Sequence, residues 1–361
     1  MDYVLIGCGR IAVNHLRAAQ ANGLTVRAVC DIVPQNAETL LQKTEFAGQK
    51  IPVYSDYRIM LDETAPALAA IATESGKHAA IALECIARKI PVIVEKPIAL
   101  SMTDADEIAA RAAAANLPVC ACHQNRFNEA VRQARCALEN GRLGKLSHGA
   151  VCVRWNRNRA YYEQAPWRGT WAQDGGALMN QSIHGIDLLR WMMGGDAVEV
   201  CGMTRRCFHD YLEAEDAGLA LVRFASGAIA SIEGTTNAFG GNLEETLTLF
   251  GEHGLIRLSG MSANQVDVWR FETDSPGDEE TRRLAEQTQN VYGNGHRLLY
   301  ADMLHAIEYG HAPLIGAAEG RNALELVLAV YKSQLTGRPV TLPLRDFSTM
   351  DMARSLKGCR L

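Results

Sequence analysis

A chain of 361 residues is longer than one ordinary core and points to two domains. Hydrophobic residues make up 48%, charged residues 21%, and the formal net charge is −5, which leaves no basic field to draw in nucleic acid or an anionic membrane. The start MDYVLIGCGR has no basic region ahead of its apolar run, and no segment reaches the roughly 20 apolar residues that span a bilayer, so a cytoplasmic location without a membrane partner is expected.

From Tyr3 to about Cys122, the runs YVLIG, TVRAVCD, ALAAIAT, IPVIVEK and LPVCACH alternate with alanine-rich helical stretches. That rhythm predicts a doubly wound parallel sheet wrapped by helices, a Rossmann-type domain over residues 1–122. Its first strand runs into Gly7-Cys8-Gly9-Arg10-Ile11-Ala12 and then a helix, the G-x-G-x-x-A form of the dinucleotide fingerprint. Gly7 permits the tight turn, Gly9 lets the backbone approach a pyrophosphate, and Ala12 allows helix to pack on strand. Arg10, Ile11 and the free N–H groups of the helix start complete the phosphate cradle. Asp31 follows nineteen residues after Ala12, at the end of TVRAVC. There it accepts from ribose hydroxyls and repels a 2′-phosphate, favouring NAD over NADP, unless it only forms a turn or caps the next helix. Glu95, Lys96 and Pro97 close the strand IPVIVE at the edge where open α/β sheets bind ligands. A lysine there can polarise a hydroxyl or ketone, or form a surface pair with Glu95; the proline restricts Lys96 to an extended, fixed, even cis, turn.

Past residue 123 a helix gives way to SHGAVCVRW, AGLALVRFA, AIASIEGTT, ETLTLFGE and GLIRLSG, which predict a mostly antiparallel sheet with one covered face in an α+β domain over 123–361. Between them lies GGALMNQSIHGIDLLRWMMG, Gly175 to Gly194, read as a helix opening on two glycines. Met179, Ile183, Ile186, Leu189 and Met193 form its oily face, whereas Asn180, His184, Asp187 and Trp191 fall on one stripe at 3.6 residues per turn. His184 is suited to acid/base work by its ordinary pKa near 6.5, and is equally read as a core histidine. Residues 274–290 read as an exposed loop and a short helix, followed by the amphipathic helices HRLLYADMLHAIEYG and AEGRNALELVLAVYKSQLTG. Ten cysteines are scattered without C-x-x-C pairs or a companion histidine ladder, so reduced thiols and no metal are expected.

GCGRIA, EKP and GGALMNQSIHGIDLLRW, in this order, resemble the Gfo/Idh/MocA oxidoreductases, over nearly the whole chain. The resemblance implies an NAD- or NADP-binding Rossmann domain and a second domain whose open sheet carries the substrate and builds a homodimer or homotetramer. It places Thr73 and His78 of TESGKHA, with Glu95 and Lys96, beside the cofactor, although Glu74 replaces a proline common there. Many members carry aspartate four residues before the histidine. Here Asn180 stands in that place and an amide carries no proton, which leaves His184 as acid/base with Lys96 as its catalytic companion. MNQSIHGIDLL, HQNRFN, YYEQAPWRGTW and NLEETLTLFGEHGLIRLSG are similar to the branch that oxidises UDP-N-acetylglucosaminuronic acid at C3. That likeness turns Arg126, Asn180, Gln181, His184 and His296 towards the sugar. Arg168 or Arg126 would pair with a carboxylate or phosphate, while Tyr161, Tyr162, Trp167 and Trp171 would flank a pyranose or simply pack. A sugar substrate follows from this reading. An inositol or aldose dehydrogenase, an NAD-dependent glycosidase and a non-catalytic NAD-binding sensor are its rivals.

Overall fold

The computed structural model describes residues 1–288 and 291–356. The chain forms two compact units, Met1–His123 with His296–Arg321, and Gln124–Gly295 with Asn322–Leu361.

In the first unit, β1 (Asp2–Ile6), β2 (Thr25–Cys30), β3 (Val53–Tyr54), β4 (Leu68–Ile71), β5 (Val92–Glu95) and β6 (Val119–Cys122) form a parallel sheet in the order β3-β2-β1-β4-β5-β6. Strands β4, β5 and β6 are buried throughout, as expected when helices cover both faces. The order reverses beside β1, so the carboxyl ends of β1 and β4 open the crevice where such sheets bind ligands.

One division after Cys122 was expected, but residues 296–321 return to this unit. Leu299, Tyr300, Met303 and Ala306, on the helix His296–Tyr309, are fully buried, and Asn22 donates to the Arg297 carbonyl at 3.0 Å. The Ala121 N–H donates to the Ile315 carbonyl at 2.9 Å, securing the returning chain along β6. Amphipathic periodicity shows that a helix has a face to bury, but not which distant surface receives it.

The second unit is built on β7 (Leu146–Arg154), β8 (Ala197–Arg205), β9 (Ala217–Phe224), β10 (Ile229–Thr235), β11 (Glu244–Gly251), β12 (Gly254–Ser259), β13 (Gln265–Phe271) and β14 (Val340–Thr341), in the order β13-β12-β11-β7-β10-β9-β8-β14. Only the β7–β10 pair among these neighbours is parallel. Alternation in β9 and β10 buries Ala220, Val222, Ala230 and Ile232 on one face and leaves Leu219, Leu221 and Ile229 exposed on the other, where Met203 of β8 joins them. In the segment expected as loop and helix, the helix is Asp278–Arg282, anchored by Asp278 accepting from Arg142 and from the Trp269 indole; its last two residues, 289 and 290, lie outside the described residues. Among the described residues no helix is long and apolar enough to cross a membrane.

Candidate active site

At the carboxyl edge of the parallel sheet, Gly7 has φ +93°, and a Cβ there would sit 2.5 Å from the Ala72 carbonyl carbon, so only glycine fits. Gly9 and Arg10 are exposed, and nothing lies within 4 Å of a Cβ built on Gly9, which leaves backbone open to a phosphate. The helix Ala12–Ala21 starts behind Ile11 without a side-chain cap and without an acidic residue in its first turn. Its positive end therefore fits an anionic pyrophosphate. The carboxylate of Asp31 accepts from the Cys8 N–H at 2.9 Å, from the Val33 N–H at 2.9 Å and from the Asn36 amide at 3.2 Å. These bonds make it a turn former joined to the glycine turn itself. Cys8 is buried with its thiol on the Cys30 carbonyl.

Thr73 is half-buried beyond β4, where the Cβ of a larger residue at Gly7 would also meet its backbone nitrogen. His78 is buried, with Nδ1 2.7 Å from the Pro97 carbonyl and Nε2 3.1 Å from the Thr73 carbonyl. Both ring nitrogens face backbone, so His78 joins the turns after β4 and β5 and has no nitrogen left for a cofactor; burial lowers its pKa. Lys96 is half-buried, and the Lys96–Pro97 peptide is cis.

Glu95 is buried rather than paired with its neighbour at the surface. It accepts from His15 at 3.1 Å and from the Lys96 backbone N–H at 3.1 Å. Burial works to raise its pKa, but the hydrogen bond from His15 and the nearby His296 ring outweigh this and hold the carboxyl well below the usual range. His15 continues through Nδ1 to Tyr300 at 2.7 Å, and the Tyr300 hydroxyl meets that of Tyr3 at 2.9 Å. His296, expected to face the sugar, lies in this network, 5% exposed and 3.8 Å from Glu95. Potential ligand atoms of His15, Glu95, Cys122 and His296 fall within 4.8 Å of one another, although His15 Nε2 is already engaged by Glu95.

In the second unit the glycine-led segment begins with a π-helix, Ala177–Ser182, and continues as the α-helix Ile183–Met192. The wider π turn breaks the constant 3.6-residue phase assumed for one stripe. A Cβ on Gly176 would overlap Glu215, whose carboxylate accepts from the Leu178 N–H at 2.9 Å and the Tyr331 hydroxyl at 2.8 Å. Burial pushes the Glu215 pKa up to about 8, against the opposing effect of these hydrogen bonds. Asn180 donates its amide to Asp174 and accepts from Gln181 at 2.6 Å. Asp174 was not anticipated from sequence; the D-G-G entrance to the helix was its only signal. His184 is 5% exposed, one turn beyond Asn180.

The later half of the expected stripe is structural. Arg126, expected to face the sugar, is 1% exposed and places its guanidinium on Asp187 at 2.7 and 2.6 Å, 4.8 Å from the Trp191 ring centroid. A fork engaged by a buried carboxylate no longer serves as an anion receptor. Trp171 and Tyr162 are buried and pack on Tyr331 and Tyr161, whereas Tyr161, Trp167 and Arg168 remain half-buried.

The 3-2-1-4-5-6 sheet, its glycine turn and the acidic residue after β2 define a dinucleotide-dependent α/β protein. Residues 1–123 match the oxidoreductase family with NAD-binding Rossmann fold, and residues 131–257 match the GFO/IDH/MocA C-terminal domain. The WlbA dehydrogenase of Bordetella pertussis, crystallised with NADH and UDP-GlcNAcA, is 32% identical with a TM-score of 0.86, covering 95% of this chain and 98% of that one. Its counterpart from Chromobacterium violaceum, also with NADH and UDP-GlcNAcA, has the same identity and TM-score over 96% of each chain. Myo-inositol 2-dehydrogenase of Thermotoga maritima is 24% identical across 94% of this chain and 97% of its own. The chain belongs to the Gfo/Idh/MocA family and is an NAD-dependent dehydrogenase acting on CH–OH groups.

Replacing Asp31 with alanine removes the charge that opposes a 2′-phosphate. The ratio of kcat/KM for NAD to that for NADP is expected to fall by about tenfold or more, equivalent to about 1.4 kcal/mol; an unchanged ratio would confine Asp31 to turn formation. Glu215 predicts a pH effect with a definite sign. Its folded pKa of about 8 exceeds the ordinary 4.5, so the native state retains a proton that the unfolded chain releases. Stability is therefore lost as pH rises from about 4.5 through about 8, and Glu215→Gln should flatten that slope in denaturant titrations.

Proposed function

We propose that this dehydrogenase interconverts a secondary alcohol and a ketone on a sugar, and that its substrate is a nucleotide-linked uronic acid of the UDP-N-acetylglucosaminuronate type, oxidised at C3. The observation that carries this reading is the full-length similarity to two WlbA dehydrogenases crystallised with UDP-GlcNAcA. The N-Q-x-x-H arrangement of Asn180, Gln181 and His184 supports it. Bound NAD supplies the hydride acceptor. The Lys96 ammonium polarises the reacting oxygen and stabilises the negative charge that develops on it. His184 removes the hydroxyl proton. Asn180 cannot exchange a proton, and its amide, held between Asp174 and Gln181, serves orientation.

Similarity to myo-inositol 2-dehydrogenase supports a second reading, oxidation of a free polyol. Purified protein with NAD+ should be screened against UDP-sugars, uronic acids, hexoses and inositols, with NADH absorbance and product mass followed together. Turnover of UDP-N-acetylglucosaminuronate is expected; turnover confined to inositols would replace the first reading with the second. Lys96→Ala and His184→Ala should each lower kcat by about 100-fold or more while NADH binding by fluorescence survives. Loss of NADH binding in both variants would reduce these residues to structural ones.

We further propose a homodimer or homotetramer formed through the outer face of the eight-stranded sheet, where Met203, Leu219, Leu221 and Ile229 are exposed. Light scattering should give two or four chain masses. Leu221→Glu should shift that mass downward, and a monomeric wild type would contradict the assignment.

A further inference from the structure

Arg126, Arg142 and Arg154 each place their guanidinium on carboxylates. Arg157 and Arg168 do not: among the described residues neither has a carboxylate in ion-pair reach, and their partners are neutral. Arg157 donates through Nε to Gln181 at 2.9 Å, and through Nη1 to the Asn156 carbonyl at 2.7 Å and to Asn242 at 3.0 Å. Arg168 donates through Nη1 to the Tyr161 hydroxyl at 2.6 Å, while its Nε is buried without a hydrogen-bond partner. Both cations lie over the same ring, 5.1 and 4.4 Å from the Tyr161 centroid. The outer walls are aromatic, with Trp155 at 4.8 Å from Arg157 and Trp167 at 4.6 Å from Arg168.

We propose that Arg157, Arg168 and Tyr161 form a seat for an oxyanion of the substrate, in the same unit as Asn180, Gln181 and His184. The seat rests on the sugar-dehydrogenase reading above and adds the residues that recognise the charged part of the ligand. Two like charges drawn to one ring repel each other until an anion joins them. Burial lowers the Arg157 pKa, as it does when no carboxylate neutralises the charge.

Tyr161 adds a directional donor. Its hydroxyl oxygen already accepts from Arg168 at 2.6 Å and from Gln181 Nε2 at 3.0 Å, so its own proton needs an acceptor from elsewhere. Gln181 thereby links the seat to the helix that carries His184, because it binds Arg157 through Oε1, and Tyr161 and Asn180 through Nε2. An array of donors with a net positive charge selects a carboxylate or a phosphate over a neutral hydroxyl. Those oxyanions are the uronate carboxylate and the diphosphate of a nucleotide sugar.

The test measures Kd by calorimetry for UDP-N-acetylglucosaminuronate, UDP-N-acetylglucosamine, UDP, glucuronate and inorganic pyrophosphate, with wild type, Arg157→Gln and Arg168→Gln. Arg168→Gln is the milder change should Arg157→Gln fail to fold, and unchanged NADH binding identifies folded protein. Each variant is expected to weaken its anionic ligands by about tenfold or more, the loss of one charge-assisted contact. If the carboxylate occupies the seat, preference for the uronate over UDP-N-acetylglucosamine disappears, glucuronate binding weakens and UDP is unaffected. If the diphosphate occupies it, all three nucleotides and pyrophosphate weaken together and glucuronate does not. Affinities within twofold of wild type for every ligand in both variants overturn the seat. Should wild type bind no nucleotide, the proposed substrate fails; the seat then stands only if glucuronate or pyrophosphate binds wild type and is weakened in the variants.

Discussion

The first unit depends on a carboxylate kept ionised inside protein. Glu95 sits at the end of β5, where its charge is costly to bury unless compensated. Compensation comes from three directions: His15 on the first helix, the Lys96 backbone N–H in the following turn, and His296 at the start of a helix that returns from far along the chain. The hydroxyls of Tyr300 and Tyr3 extend the network back to β1. One buried charge thus gives the returning helix a polar reason to dock, beside the apolar one supplied by Leu299 and Met303. It also holds the turn that carries Lys96 against the strands presenting the glycine turn.

In the second unit a comparable role falls to close approach. Gly176 lies against Glu215, and a Cβ on Gly185 would meet Val151 and Val153 on β7, so the close approach of the segment bearing His184 needs residues without side chains at both positions. Glu215 receives the first N–H groups of the π turn, and Asp174 fixes the amide of Asn180 a few residues later. The absence of aspartate at position 180 is therefore not an absence of carboxylate from the neighbourhood: the acid stands behind the amide instead of in its place.

Local regularities were legible in the sequence. Burial on both faces wrote the continuous apolar runs of the parallel strands, and half-burial wrote the alternation of β9 and β10. Gly7 and Asp31 were readable because backbone conformation and charge restrict which residues fit there. The pairing of distant segments left no such mark. Arg126 reads as an available cation until Asp187 is found against it, and His296 as a sugar-facing residue until Glu95 is found beside it. Arg157 escaped notice for the opposite reason, since nothing in a sequence marks an arginine whose acid is missing. The stripe through Asn180, His184, Asp187 and Trp191 assumed one helical pitch; the π turn sets Asn180 apart from the other three, and Arg126 occupies Asp187 and Trp191.

The cysteine between the two glycines has a chemical consequence of its own. A thiol within a phosphate-binding turn would ordinarily expose cofactor binding to oxidants and alkylating agents, since the thiolate is the reactive form. Burial, reinforced by the neighbouring charge of Asp31, pushes the Cys8 pKa far upward, and burial takes Cys30 to about 12. Cys136, Cys201 and Cys207 are exposed instead. Thiol chemistry is thereby directed to the second unit, and the carboxylate that holds the dinucleotide turn also keeps it chemically quiet.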